Sequence, residues 1–285
     1  MKAVVIGRNG QVAWELQHTL PANTEALVLG SSDVNIIDLN DLRAKVEAFQ
    51  PNVIINASAY TAVDKAESDI DAAYTINRDA VNNIAVVAKE LNARLIHIST
   101  DFIFDGTKNT AYKVNDLTNP VSVYGASKLA GELAIKDIYP ENSTIVRTSW
   151  VYSSHGSNFV KTMLRLMSEK DELSVVGDQI GCPTYARGLA EFIWQLCCLD
   201  KVEHVYNWTD LGVASWYDFA VEIQRIAIDN DILSRSIPIT PIKSEQYPTP
   251  ATRPHFSLLD VKDSQSIMCG DHWGKNLIEC LRELR

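Results

Sequence analysis

The chain has 285 residues, of which 46% are hydrophobic and 22% are charged, with a formal net charge of −10. The composition is typical of a globular protein, and the length suits one large domain or a domain with an appendage. The acidic balance argues against a general nucleic-acid binder, and no apolar run approaches the ~18 residues needed to span a bilayer. The five cysteines are odd in number and lack metal-type spacing. The apolar run at the N-terminus, MKAVVIG, is too short for a signal peptide and is typical of a strand. We therefore expect reduced thiols in a cytoplasmic protein.

Apolar runs and helical periodicities alternate along the first 152 residues. Five runs are typical of buried strands: KAVVIG, TEALVLG, NVIINAS, ARLIHIST and STIVRTSWVY. Between them lie the helical patterns GQVAWELQHTL, DLNDLRAKVEAFQ, DAAYTINRDAVNNIAVVAKELN and SKLAGELAIKD. Strands separated by helices of this length indicate parallel βαβ units, so the pattern predicts an α/β fold with a doubly wound parallel sheet.

The alternation weakens after about residue 152. Helical patterns remain at NFVKTMLRLMS, LAEFIWQLCCL and WYDFAVEIQRIAI, with short strand patterns at ELSVVGDQIGCPT and HVYNW. We therefore predict a nucleotide-binding domain over residues 1–152 and a smaller, mixed part over residues 153–285. The helix YARGLAEFIWQL of the second part is expected to pack back on the first domain.

Gly7, Gly10 and Ala13 lie between the first strand and the first helix. The first glycine allows a sharp turn, the second lets a phosphate approach the backbone, and the small third residue lets helix and strand pack closely. The helix N-terminus then offers unpaired N–H groups to a pyrophosphate. This context predicts a Rossmann-type dinucleotide site, the alternative being a glycine-rich turn without a ligand.

The end of the second strand bears on the choice of cofactor. In LVLGSSD no acid follows the apolar run directly, and Asp33 lies a little beyond. Small residues there, with Arg8 in the glycine loop, leave room and charge for a 2′-phosphate. The sequence therefore favours NADPH, with NADH tolerated.

Tyr124 and Lys128 are four residues apart and share one helix face. An ammonium near a phenol lowers the phenol's pKa and makes it a better general acid. Such a pair also arises by chance, but this one follows the fourth strand, at whose carboxyl end ligands bind in open parallel sheets. Thr100 lies at that end, where its hydroxyl could hold a carbonyl oxygen. Asp101 beside it is either a turn residue or a partner for a cation.

The segments NASAYTAVDKAE, STDFIFDG, YGASKLAGE and RTSWVY follow the glycine loop in an order and spacing that resemble the extended short-chain dehydrogenase/reductases. With the later NFVKTMLRL, VVGDQIGCPT and YPTPATRPHFSLLD, the chain is similar nearly end to end to the dTDP-4-dehydrorhamnose reductase family. The resemblance implies NADPH-dependent reduction of the C4 ketone of dTDP-4-dehydro-L-rhamnose. Alternatives are another sugar-nucleotide reductase or epimerase of the superfamily, or a non-catalytic regulatory subunit such as that of methionine adenosyltransferase. A regulatory subunit need not keep Thr100, Tyr124 and Lys128 together.

The resemblance also implies residue roles. Tyr124 would donate the proton to the C4 oxygen, Lys128 would hold the nicotinamide ribose and lower the Tyr124 pKa, and Thr100 would bond the substrate oxygen. Expected cofactor contacts are Gly7, Asn9, Gly10, Gln11, Val12, Asp38, Leu39, Ala59, Tyr60, Thr61, Tyr124 and Lys128. Expected substrate contacts are Thr100, Asp101, Tyr124, Trp150 near the sugar, and Arg253 and His255 near the diphosphate.

Metals and partners are the last expectations. The implied partner is a dTDP-sugar, with no nucleic acid and no membrane, and a homodimer is one option. Some relatives bind Mg²⁺ between subunits through acidic side chains. Glu15 could serve in this way, but Arg187 stands where an acid is expected, which argues against a metal-bridged dimer. No metal is expected in catalysis. The charges at helical spacing in TAVDKAESD, including Asp64, are typical of a solvated face.

Overall fold

A computed structural model describes residues 1–285 and has a six-stranded sheet at its centre. The strands are β1 (Lys2–Ile6), β2 (Glu25–Leu29), β3 (Val53–Asn56), β4 (Arg94–Thr100), β5 (Ser143–Thr148), β6 (Val151–Tyr152), β7 (Leu173–Val176), β8 (Ile180–Gly181), β9 (Thr184–Tyr185), β10 (Val205–Asn207), β11 (Ala214–Ser215) and β12 (Ile239–Ile242). The sheet order is β2-β1-β3-β4-β5-β10, and every neighbouring pair is parallel.

Helices cover both faces of this sheet. They are α1 (Gln11–His18), α2 (Leu39–Glu47), α3 (Val63–Ala66), α4 (Ile70–Tyr74), α5 (Ala80–Glu90), α6 (Val123–Ile138), α7 (Phe159–Glu169), α8 (Ala186–Cys198), α9 (Trp216–Asp229), α10 (Lys262–Gln265) and α11 (Trp273–Glu283). Alternate residues of β1 enter two cores, one shared with α2, α5 and α6 and the other with α1 and α8. The predicted doubly wound α/β fold is confirmed. Burial on both faces explains the uninterrupted apolar strands.

The second half of the chain has its own core but also completes the sheet. A third cluster of buried apolar side chains joins α7, α9 and α11. In contrast, β10 pairs with β5 at the sheet edge, and α8 packs against α1, where the Trp194 indole donates to the Leu16 carbonyl at 3.1 Å. No helix combines the length and apolarity that crossing a membrane requires.

Two predicted elements are interrupted in the structure. The long helix predicted from Asp71 is divided by a π-helical turn at Thr75–Asp79, which separates α4 from α5. The predicted fifth strand ends at Thr148 because Trp150 has a φ of 48°, and β6 then pairs with β9 instead of continuing the sheet. A positive φ at a non-glycine residue is strained, and such strain often accompanies a functional site.

The topology fixes where a ligand can enter. From β1 the chain moves to β2 on one side, and it returns to β3 on the other side of β1. Such a reversal opens a crevice at the carboxyl ends of the two diverging strands. The glycine loop follows β1 and residues 57–61 follow β3, so both flank this crevice.

Candidate active site

A cleft of about 430 Å³ occupies the carboxyl edge of the sheet. It is lined by the loops that follow β1, β3, β4 and β5 and by the first turns of α6. The structure brings eleven of the predicted residues to this cleft: Asn9, Gly10, Gln11, Val12, Ala59, Thr61, Thr100, Asp101, Tyr124, Lys128 and Trp150.

The glycine loop forms one wall of the cleft. Gly7 lies behind the wall with a φ of 114°, and a Cβ there would come within 2.8 Å of the Ala57 backbone, so the turn requires glycine. Gly10 caps α1 without any side-chain acceptor, which leaves the first N–H groups of the helix unpaired by a side chain. Gln11 accepts a 2.8 Å hydrogen bond from Asn158, so the loop after β6 is fixed over the glycine loop.

Arg8 lies at the carboxyl end of β2. Its guanidinium pairs with Asp33 at 2.8 Å and also donates to the Val28 carbonyl. The same Asp33 carboxylate accepts from the Gly30 N–H at 2.8 Å. The Arg8 guanidinium, the cation predicted for a 2′-phosphate, therefore lies at the carboxyl end of β2, where it is already paired with Asp33.

Thr100 ends β4, and α6 places Tyr124 and Lys128 next to it. Ser122 caps α6 by accepting from the Gly125 N–H at 3.1 Å. The first turn of α6 packs tightly on the loop after β4, because a Cβ on Gly125 would lie 2.2 Å from the Phe102 carbonyl oxygen. The small residue after Tyr124 is thus required for the trio to meet.

The surroundings of the Tyr124 phenol keep it protonated. The pKa of Tyr124 is raised to about 12, chiefly by burial and also by the charge of Asp101, against the opposing effect of the Thr100 hydroxyl. Lys128 makes no hydrogen bond to the phenol; its Nζ donates to the Ile98 carbonyl at 2.7 Å. The prediction that Lys128 lowers the Tyr124 pKa is therefore wrong for the protein by itself.

Two buried ionisable groups, one in the trio and one next to it, have shifted pKa values. Lys128 is almost fully buried, and this burial lowers the pKa of Lys128 to about 8 against the opposing effect of Glu132. Asp101 is equally buried, and desolvation raises the pKa of Asp101 to about 6. Its Oδ1 accepts from the Thr100 hydroxyl at 3.1 Å, whereas its Oδ2 has no partner.

Besides Gly7, three predicted cofactor residues lie outside the cleft. Asp38 is exposed and caps α2, where its side chain accepts from the backbone of Asn40 and Asp41. Leu39 packs against the core shared by α2 and α5. The Tyr60 hydroxyl donates to Asp69 at 3.1 Å, away from the cleft. Each of these side chains has a structural partner that accounts for its position.

A second cavity of about 490 Å³ lies beside the first, between α7, β7 and the loop around residues 247–253. Arg253 lines it and forms a two-point ion pair with Asp64, at 2.9 and 2.7 Å. The Arg253 guanidinium lowers the pKa of Asp64, whose side chain is 41% exposed, so this residue of the solvated face also has a specific partner. Trp150 lines the first cleft and Trp216 lines the second cavity. The two rings stack on each other with centroids 3.6 Å apart.

His255 is exposed, and its Nδ1 lies 3.4 Å from the Asp178 carbonyl. The two residues weighed for a metal are engaged within the chain. Glu15 accepts from the Ser153 hydroxyl at 2.6 Å, and Arg187 pairs with Glu283 at 2.6 Å. No group of three or more metal-ligating side chains is present in the chain.

Sequence reasoning missed the polar residues beneath the cleft. Asn56, His97, Ser99 and Glu132 are buried and hydrogen-bonded under the trio, and Asn77 of the π turn bonds to both backbone groups of Tyr60. Polar residues near the carboxyl ends of apolar strands were a usable signal, because such strands are otherwise wholly hydrophobic.

The family model described as "RmlD substrate binding domain" matches residues 1–285. A dTDP-4-dehydrorhamnose reductase of Sinorhizobium fredii is 40% identical over 265 residues, which is 91% of this chain and 88% of the relative. A crystal structure of a dTDP-4-dehydrorhamnose reductase from Clostridium acetobutylicum superposes with a TM-score of 0.93 at 37% identity, covering 100% of this chain and 99% of that one. One from Bacillus anthracis, in complex with NADP, also has a TM-score of 0.93 at 33% identity and 99% coverage of both chains. This chain is similar to these dTDP-4-dehydrorhamnose reductases along nearly its whole length. The chain therefore belongs to the RmlD family.

Proposed function

We propose that the protein reduces the C4 ketone of dTDP-4-dehydro-L-rhamnose to dTDP-L-rhamnose with NADPH, a step in making a cell-surface polysaccharide precursor. The observation that carries this proposal is that Thr100, Tyr124 and Lys128 meet the glycine loop in one cleft. The names of the Sinorhizobium fredii and Clostridium acetobutylicum relatives support the reaction, and the NADP complex of the Bacillus anthracis relative supports the cofactor.

The cleft residues suit a dinucleotide. The uncapped start of α1 at Gly10, Gln11 and Val12 would hold the diphosphate, because unpaired backbone N–H groups attract phosphate oxygens. Ala59 and Thr61 would line the ribose side, and Lys128 would hold the nicotinamide ribose. When bound, NADPH supplies the hydride.

Tyr124 is the proton donor in this proposal. With a pKa of about 12 its phenol carries a proton at neutral pH, which is the form that can donate to the ketone oxygen. The Thr100 hydroxyl beside it would hold the same oxygen. Two donors aimed at an oxygen that gains negative charge stabilise the transition state more than the ground state.

The second cavity would bind the dTDP portion. Arg253 carries a planar fork of donors that matches a diphosphate, and its pairing with Asp64 holds that fork at the cavity wall. His255 would approach the diphosphate from the rim. Trp150 would lie near the sugar, since it lines the first cleft and stacks on Trp216 of the second cavity.

This proposal assigns cofactor binding to residues 1–152 and sugar-nucleotide binding to residues 153–285. Five free cysteines suit the reducing cytoplasm, which we propose as its location. A homodimer stays a prediction that analytical ultracentrifugation would test.

The function is tested by incubating the protein with NADPH and dTDP-4-dehydro-L-rhamnose, generated in place by its upstream epimerase. We expect loss of absorbance at the nicotinamide band and equimolar formation of dTDP-L-rhamnose, identified by chromatography and NMR. A matched reaction with the Tyr124→Phe variant measures background reduction. Unchanged absorbance in the presence of an intact ketone would contradict the proposal.

A further inference from the structure

A chain of buried polar side chains runs from the sheet to Lys128. Asn56 and His97 are cross-strand neighbours on β3 and β4, and neither has more than 1% of its surface exposed. The Asn56 amide nitrogen lies 3.0 Å from His97 Nδ1, and His97 Nε2 lies 3.3 Å from Lys128 Nζ. The reaction described above assigns no role to Asn56 or His97.

The orientation of the Asn56 amide is fixed by its other contacts. The Ser58 backbone N–H donates to Asn56 Oδ1 at 3.1 Å, and the Ser58 hydroxyl donates to the same oxygen at 2.6 Å. A backbone N–H can only donate, so the atom facing it is the amide oxygen. The amide nitrogen therefore faces His97.

This orientation determines the His97 tautomer. An amide nitrogen can only donate, so His97 Nδ1 must accept, and the proton of the neutral ring is then on Nε2. Burial and the neighbouring Lys128 both lower the His97 pKa well below its ordinary value, in agreement with a neutral ring. His97 thus points an N–H at Lys128 Nζ.

An N–H pointing at Lys128 discriminates between the two protonation states of the amine. An ammonium has three donors and no acceptor, so its approach to Nε2–H sets two donors against each other. A neutral amine has a lone pair that accepts from Nε2–H while one of its own hydrogens still reaches the Ile98 carbonyl. Burial acts in the same direction, because it lowers the pKa of Lys128 to about 8.

The other charged and titratable groups around Lys128 do not explain the preference. On α6, Glu132 favours the ammonium, and it is itself neutralised by Arg147 of β5 in a buried ion pair of 2.7 Å. On the cleft side stand Tyr124 and Asp101, and neither bonds to Nζ. Apart from burial, His97 is the neighbour that favours the neutral amine.

We propose that His97, held in its Nε2–H tautomer by Asn56, is a positioning residue that makes Lys128 a stronger acid and so sets the pH at which Lys128 loses its charge. This role rests on the proposed ketone reduction. There the Tyr124 O–H bond breaks as the product O–H bond forms, which leaves a phenolate. Solvent in the cleft returns a proton to the phenolate, while Lys128, which bonds to the Ile98 carbonyl and not to the phenol, keeps its charge only below its own pKa.

The test is an NMR titration of Lys128 in protein labelled with [¹³C]lysine, with the Lys128 Cε signal assigned by its loss in Lys128→Arg. We expect titration near pH 8 in the wild type. In His97→Gln the amide oxygen can turn to the ammonium, so the midpoint should rise by at least about one pH unit. The matched control is His204→Gln. His204 hydrogen-bonds to the Ser143 carbonyl at the amino end of β5, which is the end away from the cleft.

Asn56→Asp provides a second variant in case His97→Gln does not fold. A carboxylate keeps both Ser58 bonds but accepts from His97 Nδ1–H, so the Nε2 lone pair then faces the ammonium and the midpoint should also rise. The same Asn56→Asp substitution in a His97→Phe background measures the effect of the added charge alone. The Lys128 midpoint should then rise by less than half as much. The alkaline limb of the pH–kcat profile should move with the NMR midpoint.

A wild-type midpoint at the ordinary ~10.4 would overturn the proposal. Equal midpoints in wild type, His97→Gln and Asn56→Asp would do the same. The titration uses the protein alone, so it gives an answer even if a different ketone proves to be the substrate.

Discussion

The two cavities of the molecule are built from different parts of the fold. The cleft at the carboxyl edge of the sheet has its reactive groups on strand ends and on α6, and Thr100, Asp101 and Lys128 are almost fully buried. The second cavity is lined by side chains of α7, β7 and surrounding loops, and its Arg253 side chain, which comes from a loop, is 25% exposed and paired with Asp64. Close-packed strands allow few arrangements, whereas loops are more mobile. The contrast indicates that the sheet fixes the side chains of the cleft more closely than the loop around residues 247–253 fixes Arg253.

The largest expected effect is on the free energy of unfolding, at the buried ion pair between Glu132 and Arg147 beneath the cleft. Glu132 accepts from Ser99 and from Arg147 beneath the cleft, so Glu132→Ala leaves a buried guanidinium unpaired. We expect a loss of about 3–5 kcal/mol in the free energy of unfolding, measured in urea. The control is Glu222→Ala, which breaks an exposed pair with Arg225 and should cost no more than about 1 kcal/mol. Equal losses in the two variants would remove the distinction.

Tyr124→Phe removes the proposed proton donor and keeps the ring that packs edge-on against Phe102. We expect turnover to fall at least ~10²-fold, the usual size of a general-acid contribution, with cofactor affinity nearly unchanged. Stopped-flow turnover and fluorescence titration with NADPH measure the two quantities. A variant that turns over at the wild-type rate would rule out Tyr124 as the donor.

The two carboxyl groups Asp101 and Asp64 should respond to pH in opposite directions. The native pKa of Asp101 is about 6, above its ordinary ~3.9, so wild-type stability falls as pH rises through this range. The stability gained by Asp101→Asn should therefore grow by about 2 kcal/mol between pH 4.5 and 7.5.

Asp64 shows the reverse behaviour, because Arg253 lowers the pKa of Asp64. Its stabilising pair is present at neutral pH and is lost in acid, so Asp64→Asn should cost more at pH 7.5 than at pH 4.5. Urea denaturation at both pH values checks the two signs, and a shared sign would contradict the assigned environments.

The smallest expected effect is at the nucleotide contacts. Arg253→Ala should raise KM for the sugar nucleotide about tenfold, since charge-assisted bonds to a diphosphate are lost, with a lesser change in kcat. The control is Arg235→Ala, which breaks an exposed pair with Asp171 outside both cavities. A fall in kcat with unchanged KM would place Arg253 in the chemistry instead.

Sequence patterns predicted what depends on local periodicity. The apolar strands, the glycine turn at Gly7 and the helix that carries Tyr124 and Lys128 follow from spacings within a few residues. The contacts that escaped prediction join distant residues. Asp64 and Arg253 are 189 positions apart, and Asn56 meets His97 across 41 positions through strand register. The Tyr124 pKa escaped for the same reason, because burial is a property of the assembled fold.

Hydride transfer to C4 is the central claim, and isotope transfer tests it most directly. The protein is incubated with dTDP-4-dehydro-L-rhamnose and NADPH deuterated at nicotinamide C4, and the sugar product is analysed by NMR and mass spectrometry. We expect dTDP-L-rhamnose with deuterium at C4 and an equal amount of NADP⁺. A sugar product without deuterium at C4, or one formed with no net consumption of cofactor, would contradict the account.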